Sequence, residues 1–324
     1  MAFAQREIDG FASARQPWRF KFPADHAPHP EYRTELWRFS GSLATPEGKQ
    51  FGFQLTFFRV GVVPPASPIG PSSWAARDVY WAQLGIDDAA AGRQYRSERI
   101  ERAAREMSGA TAQPMRVWLE DWAIDVIRAD AGQAEFGLRG SNEGVELELS
   151  LQASKPPVTR TAEQAQPSMA ANFHGYIVSR LSAKGTVRIE NRVMEVQGVA
   201  WLDRAWGQVP VPLGAVVWDR FLVHLADGRD IMGLRLRRRD GSAAPLASGV
   251  MVERDGAARL LESGQLMVDA LDRGWRLRVP SQALEIDLVP YISSSGAARA
   301  SVRAGGEAHG FVELAADLEK GSRR

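Results

Sequence analysis

Apolar and polar residues alternate along most of this chain of 324 residues. In FGFQLTFFRV, Phe51, Phe53, Leu55 and Phe57 fall on one face, with Gly52, Gln54 and Thr56 opposite. Successive side chains of an extended strand point to opposite sides, so a period of two predicts a half-buried strand. VELELSLQ sets Val145, Leu147, Leu149 and Leu151 against Glu146, Glu148, Ser150 and Gln152, and LEIDL repeats the pattern with Leu284, Ile286 and Leu288. Turn signals separate the runs. Asp227-Gly228, Asp240-Gly241 and Asp255-Gly256 tolerate the positive φ angles that hairpins require. The pattern predicts an all-β chain built of barrels or sandwiches.

Two stretches depart from it. Across residues 97–107, Ile100, Ala103, Ala104 and Met107 form a helical stripe, and Glu98/Arg102 and Glu101/Arg105 pair four residues apart. This predicts one short surface helix, with a solvated loop as the alternative. Residues 154–174 are polar, contain Pro156, Pro157 and Pro167, and carry no strand pattern. The domain boundary is placed there, giving domains 1–160 and 161–324. The length suits two domains, and no internal repeat is evident.

Composition narrows the function. A net charge of +1 supplies no field to gather nucleic acid, and Arg235, Arg237, Arg238 and Arg239 read as a solvated strand end. The absence of cysteine excludes thiol catalysis, disulfides and thiolate metal sites. No run of about 18 apolar residues predicts a membrane-spanning helix. Ala2-Phe3-Ala4 resembles the end of a signal-peptide cleavage site, without the charged and apolar regions before it. A periplasmic or exported location is expected, with the cytoplasm as the alternative.

FPADHAPHPEYRTELWRFSGSL at residues 22–43, followed by FGFQLTFFR, resembles the opening of the AttH-like family, which includes carotenoid 1,2-hydratases (hydroxyneurosporene synthases) and fungal pericyclases. Further matches follow in order: RVWLEDWAI at 116–124, KPPV at 155–158, YIVSRL at 176–181, VQGVAWLDRAWG at 196–207, VVWDRFLVHLADGRDIM at 216–232 and GFVEL at 310–314. The resemblance implies two lipocalin-like β-barrel domains packed together around an apolar cavity, a hydrophobic small-molecule ligand and no cofactor.

The departures fall on residues suited to chemistry. Where the family commonly has D-H-E-W, this chain has Asp203-Arg204-Ala205-Trp206, so two proton-transfer groups are replaced together. A family G-W-D-W becomes Val217-Trp218-Asp219-Arg220, and a late Y-W-E-G becomes Tyr291-Ile292-Ser293-Ser294. A family E-W-W becomes Glu35-Leu36-Trp37.

Hydrating an isolated double bond requires a protonated acid, an apolar pocket and aromatic faces near the resulting cation. Asp203 and Asp219 are the candidate acids; Trp201, Trp206, Trp218, Tyr176 and Arg204 are the candidate ligand-binding residues. An arginine reaching either carboxylate disables it as an acid, but Arg204 and Arg220 point away from their sequence neighbours if the strands are regular. A pericyclase needs only shape and hydrogen bonds. Against each role stands a plainer one: tryptophans as core, aspartates accepting backbone N–H groups, and Tyr176 packed with its hydroxyl bonded. Asp25, His26 and His29 look like a metal cluster, but their proline-broken loop and the lack of a distant third histidine favour a hydrogen-bonded loop tied to Arg33 and Glu35. His174, His224 and His309 are isolated in the sequence, and no glycine loop for a nucleotide is present. A hydrophobic-ligand enzyme without cofactor, a non-catalytic periplasmic lipid carrier or transporter accessory, and a filled structural β-domain remain as alternatives.

Overall fold

The computed structural model describes residues 10–14, 17–70, 75–104, 107–130, 133–160, 173–208, 216–238, 246–292, 299–304 and 308–314. The Ala2-Phe3-Ala4 stretch, the Asp240-Gly241 turn and Ser293 lie outside these residues. The expected alternation produces the expected strands. In VELELSLQA, Val145, Leu147, Leu149 and Leu151 are buried, while Glu148 and Gln152 face solvent. Asp227-Gly228 and Asp255-Gly256 turn with Gly228 at φ 89° and Gly256 at φ 91°, the left-handed region that glycine tolerates.

The first sheet holds β1 (Thr34–Ala44), β2 (Gln50–Gly61), β3 (Asp78–Asp88), β4 (Arg93–Arg102), β5 (Ser108–Ala112), β6 (Met115–Leu119), β7 (Trp122–Asp130), β8 (Gln133–Asn142), β9 (Val145–Ala153), β10 (Val158–Arg160), β11 (Phe173–Ile189) and β12 (Arg192–Gly207). Neighbours run β4-β3-β2-β1-β12-β11-β9-β8-β7-β6-β5, with β10 on β11. The second sheet holds β13 (Val216–His224), β14 (Asp230–Arg238), β15 (Leu246–Val252), β16 (Ala258–Leu261), β17 (Met267–Leu271), β18 (Gly274–Val279), β19 (Leu284–Pro290), β20 (Arg299–Ala304) and β21 (Ala308–Leu314). Its order is β16-β15-β14-β13-β21-β20-β19-β18-β17.

In both sheets the two end strands are consecutive in the chain, and an isolated bridge forms between them, Ala104↔Ser108 in the first and Ser263↔Leu266 in the second. Each sheet thus curls back on its own start, and the fold is all-β and lipocalin-like, as the alternation and the resemblance predict. Among the described residues the only helical turns are two 3-10 segments, Ala24–His26 and Pro280–Gln282. None is long and apolar enough to cross a membrane.

The helix expected across residues 97–107 is not there. Residues 97–102 are the end of β4, Arg105 and Glu106 lie outside the described residues, and Ile100 of the supposed apolar stripe is 68% exposed. Glu98 bonds across the sheet instead, accepting from Trp81 Nε1 at 2.9 Å and Gln83 Nε2 at 2.6 Å. Cross-strand partners outweigh helical charge pairs worth a few tenths of a kcal/mol each. The polar face expected on β2 is also buried; there Gln54 Nε2 donates to Thr56 Oγ1 at 2.8 Å.

By compactness the chain divides into one unit of Met1–Phe39, Gln54–Gly85 and Tyr95–Pro210, and another of Ser40–Phe53, Ile86–Gln94 and Val211–Arg324. The boundary expected between residues 160 and 161 falls between β10 and β11, whose backbones pair at Val158↔Ile177. The second unit has a contiguous apolar core that includes Phe221, Val223, Ile231, Met251, Leu277 and Leu288. The first unit carries the longest hairpin, β11–β12, in register from Phe173↔Gly207 with one bulge between Val178 and Leu181.

That hairpin is drawn close at Gly175. A Cβ there would lie 2.7 Å from the Arg204 carbonyl oxygen and 3.4 Å from the Ala205 Cβ. Gly175→Ala is therefore expected to cost about 1–3 kcal/mol, the usual penalty of overpacking. Urea unfolding reads it as a lowered midpoint with unchanged slope, and an unshifted midpoint would contradict the close approach.

Candidate functional site

Five neighbouring strands of the first sheet carry a row of polar side chains. Reading across β3, β2, β1, β12 and β11, the residues are Asp78, Arg59, Glu35, Arg204 and Tyr176. Arg59 closes the apolar face of Phe51, Phe53, Leu55 and Phe57, two residues beyond the last, which explains its 1% exposure. It donates to Glu35 Oε2 at 3.1 Å and to Asp78 Oδ1 at 2.7 Å. Arg204 donates to Glu35 Oε1 at 3.0 Å from the other side. Glu35 and Arg204 are both fully buried, so a carboxylate is held between two guanidinium groups away from water.

The irregular segment before β1 lies over this row. Arg59 Nη2 donates to the carbonyls of His29 (3.1 Å) and Tyr32 (2.7 Å), and Arg204 Nη2 donates to that of Ala27 (2.9 Å). The His29 amide donates to Glu35 Oε1, and the Lys21 amide to Asp25 Oδ2. Of the loop expected to be tied to Arg33 and Glu35, the Glu35 tie is present, and Arg59 supplies a guanidinium that holds the carbonyls of residues 29 and 32. Asp25 is within 3.4 Å of His29 Nε2. Among the described residues, no group of three or more His, Cys, Asp or Glu residues is arranged to hold a metal ion.

Aromatic rings fill the space between segment and sheet. The His29 imidazole stacks on Trp206 with centroids 3.9 Å apart and planes 4° apart. Trp18, Phe20 and Tyr176 meet Trp206 edge-on at 5.7, 5.8 and 6.3 Å. The Arg204 guanidinium lies 4.1 Å from the Trp37 ring centre and 5.1 Å from that of Trp206. His174, isolated in the sequence, joins the cluster 5.1 Å from Trp18. The Tyr176 hydroxyl is 2.6 Å from His26 Nδ1, and Phe22 packs on both rings. Trp18, Phe20 and Phe22 are half-buried, whereas Trp206 and Tyr176 are buried.

Local electrostatics follow from this packing. Burial acts to raise the Glu35 carboxyl, but the Arg204 charge, the His29 contact and Arg59 outweigh it and hold the group at about 2. Burial and then the Arg204 charge push His26 down to about 4, and burial with the His29 charge does the same to His174. His29 is raised, because its Asp25 and Glu35 contacts overcome burial. Burial raises the Tyr176 phenol. The result is an ionised row beside a neutral His26–Tyr176 pair.

The residues singled out in GVAWLDRAWGQ do not form one wall. Tyr176 pairs with Arg204 and His174 with Trp206, so Arg204 and Trp206 face the cluster. Trp201 and Asp203, offset by odd numbers of residues along the regular β12, lie on the opposite face, both buried. Asp203 therefore points away from Arg204, as alternation requires. Asp219, in the other unit, accepts from Arg235 Nε and Nη2 at 2.9 and 2.7 Å and from Arg237 Nε and Nη2 at 2.9 and 3.1 Å. Arg235 is its cross-strand partner and Arg237 shares that face, so these two arginines are not the solvated strand end expected, while the Arg238 side chain and Arg239 lie outside the described residues. The side chain of Trp218, whose backbone sits in β13, is outside the described residues.

Residues 13–301 match the model of the AttH family, described as AttH-like. No curated protein matches the chain. An AttH from Nitrosomonas europaea has a similar structure, at 23% identity and a TM-score of 0.77, over 94% of this chain and 99% of that one. Kievitone hydratase from Nectria haematococca is similar at 10% identity and 0.59, over 91% and 92%. CghA with Sch210972 is similar at 13% and 0.53, over 94% and 95%. At these identities the likeness is one of fold.

Glu35→Gln is expected to destabilise the protein by about 3–5 kcal/mol, because it leaves buried guanidinium charge uncompensated. Chemical denaturation measures this, and a loss below about 1 kcal/mol would show the row to be solvated. Stability is also expected to fall as pH drops from about 6.5 towards 4, where unfolded histidines take up protons that His26 and His174 refuse until about 4. Glu35 adds a further loss below 4.5, as pH falls towards its folded value near 2. His29, raised, acts in the opposite sense and loses its contribution as pH rises above 6.5. The urea midpoint should be lower at pH 5 than at pH 7, and the difference should shrink in a His26→Gln, His174→Gln variant. A midpoint that rises at pH 5 would contradict the two neutral histidines.

Proposed function

We propose that this chain, which belongs to the AttH-like family, binds a hydrophobic small molecule of isoprenoid, polyene or polyketide type and leaves its double bonds unhydrated. The observation that carries the reading is the aromatic assembly on β11 and β12. Half-buried Trp18, Phe20 and Phe22 rest on Trp206 and Tyr176, an apolar surface on which a ligand gains about 25 cal/mol for each Å² removed from water. No cofactor and no nucleic acid enter this reading.

Protonating carbon needs an acid that still holds its proton. Arg204 stands where the resemblance places a histidine, and its Nη atoms are committed to Glu35 and to backbone carbonyls. Glu35 is ionised near neutral pH, and both Asp219 oxygens accept from guanidinium groups. These features favour a carrier over a hydratase. One observation favours an active version of the same site. The neutral His26–Tyr176 pair offers a hydrogen bond beside the aromatic rings, which suffices for a reaction driven by shape and orientation.

Tryptophan fluorescence titrated with a polyene or a fatty acid is expected to show saturable quenching; a signal that does not saturate with any hydrophobic ligand would overturn the reading. Ligand recovered after incubation in oxygen-labelled water is expected to carry no label, and incorporated label would establish a hydratase.

A further inference from the structure

Three N–H donors around Arg204 have no hydrogen-bond acceptor among the described residues: Arg204 Nε, Trp37 Nε1 and Trp206 Nε1. Their exposures are 0%, 2% and 0%, so water outside the fold does not serve them. They belong to one stack, with the guanidinium 4.1 Å from the centre of one indole and 5.1 Å from the other. Buried donors left unmatched cost stability, and three around a single group call for a physical reason.

We infer that this stack is an acceptor subsite, which takes the carbonyl or ether oxygen of the hydrophobic ligand. The inference deepens the binding reading above and rests on it. All three groups donate and none accepts, so an oxygen with lone pairs and no proton to place is the matching partner. The charge balance selects a neutral oxygen over a carboxylate. Arg204 and Arg59 stand among Glu35, Asp78 and Asp25, two cations against three carboxylates, or three against three when His29 is protonated. Among the described residues of this row no surplus positive charge remains for an anionic head group. His26, His174 and Tyr176, the other titratable groups of the cluster, are neutral near neutral pH.

The cover over the stack is replaceable. Trp18 and Phe20 meet the edge of Trp206 from the irregular segment and are only half-buried. A ligand that displaces those two rings preserves the apolar contact they make and supplies the acceptor they lack. This gives Arg204 a role other than that of the histidine it replaces: it holds a polar anchor point inside an apolar site.

The test compares a long-chain methyl ketone, the alkane of equal length and the matching fatty acid, each binding by displacement of a fluorescent hydrophobic probe. The ketone is expected to bind about tenfold more tightly than the alkane and more tightly than the fatty acid. Trp37→Phe, which keeps a ring and removes the N–H, should weaken the ketone about fivefold and leave the alkane unchanged. In the unaltered protein, the indole N–H resonances of Trp37 and Trp206 should shift with ketone and stay still with alkane, which keeps the test independent of how the variant folds. Equal binding of ketone and alkane, stationary indole signals or preferred binding of the acid would each overturn the subsite while leaving the binding reading intact. Binding of none of the three would overturn both.

Discussion

A carboxylate buried between two guanidinium groups sets the architecture of the first unit. Glu35 has no exposed surface, and neither has Arg204, so neither charge is tolerable without the other. Their union draws β1 against β12, and it also provides the donors and acceptors that fasten the irregular segment of residues 17–33. Arg59 and Arg204 together hold three carbonyls of that segment, and Glu35 takes an amide from it. The aromatic cluster follows, because Trp206 can stack on His29 only while the segment is held there.

Arg204 and Ala205 stand where the resemblance places a histidine and a glutamate, and the buried network around Glu35 is intact with them in place. An arginine at position 204 keeps a cationic donor beside Glu35 but has no proton to give near neutral pH. The site holds a set of rings, a neutral His26–Tyr176 pair and three N–H groups in the Arg204 stack that have no acceptor among the described residues.

The fold was largely legible in the sequence, because alternation is a local signal that strand geometry reads directly. The exception at residues 97–107 shows the limit: Ile100 and Met107 matched a helical period, yet the chain there borders a sheet whose cross-strand bonds decide its form. The site was legible only in part. Trp206, Tyr176 and Arg204 were singled out and do cluster, whereas Trp201 and Asp203 fall on the other face of β12. Arg59 and Trp37 were missed. The partner of Arg59, Glu35, lies 24 residues away, while Arg204 lies 169 residues from Glu35. Only the adjacency of β1 and β12 brings Arg204 to Glu35, and no local pattern announces a pairing between strands so distant in the chain. One clue was available: a glutamate in TELWRF, followed directly by Leu36 and Trp37 on a strand buried on both faces.

The central claim, that Arg204 and Glu35 act as one buried unit, is tested most directly by a double-mutant cycle of Arg204→Met and Glu35→Leu with stability as the readout. The account predicts that the double variant loses much less than the sum of the single losses, with a coupling of about 2 kcal/mol or more. Losses that add to within about 0.5 kcal/mol would show two independent side chains and contradict it.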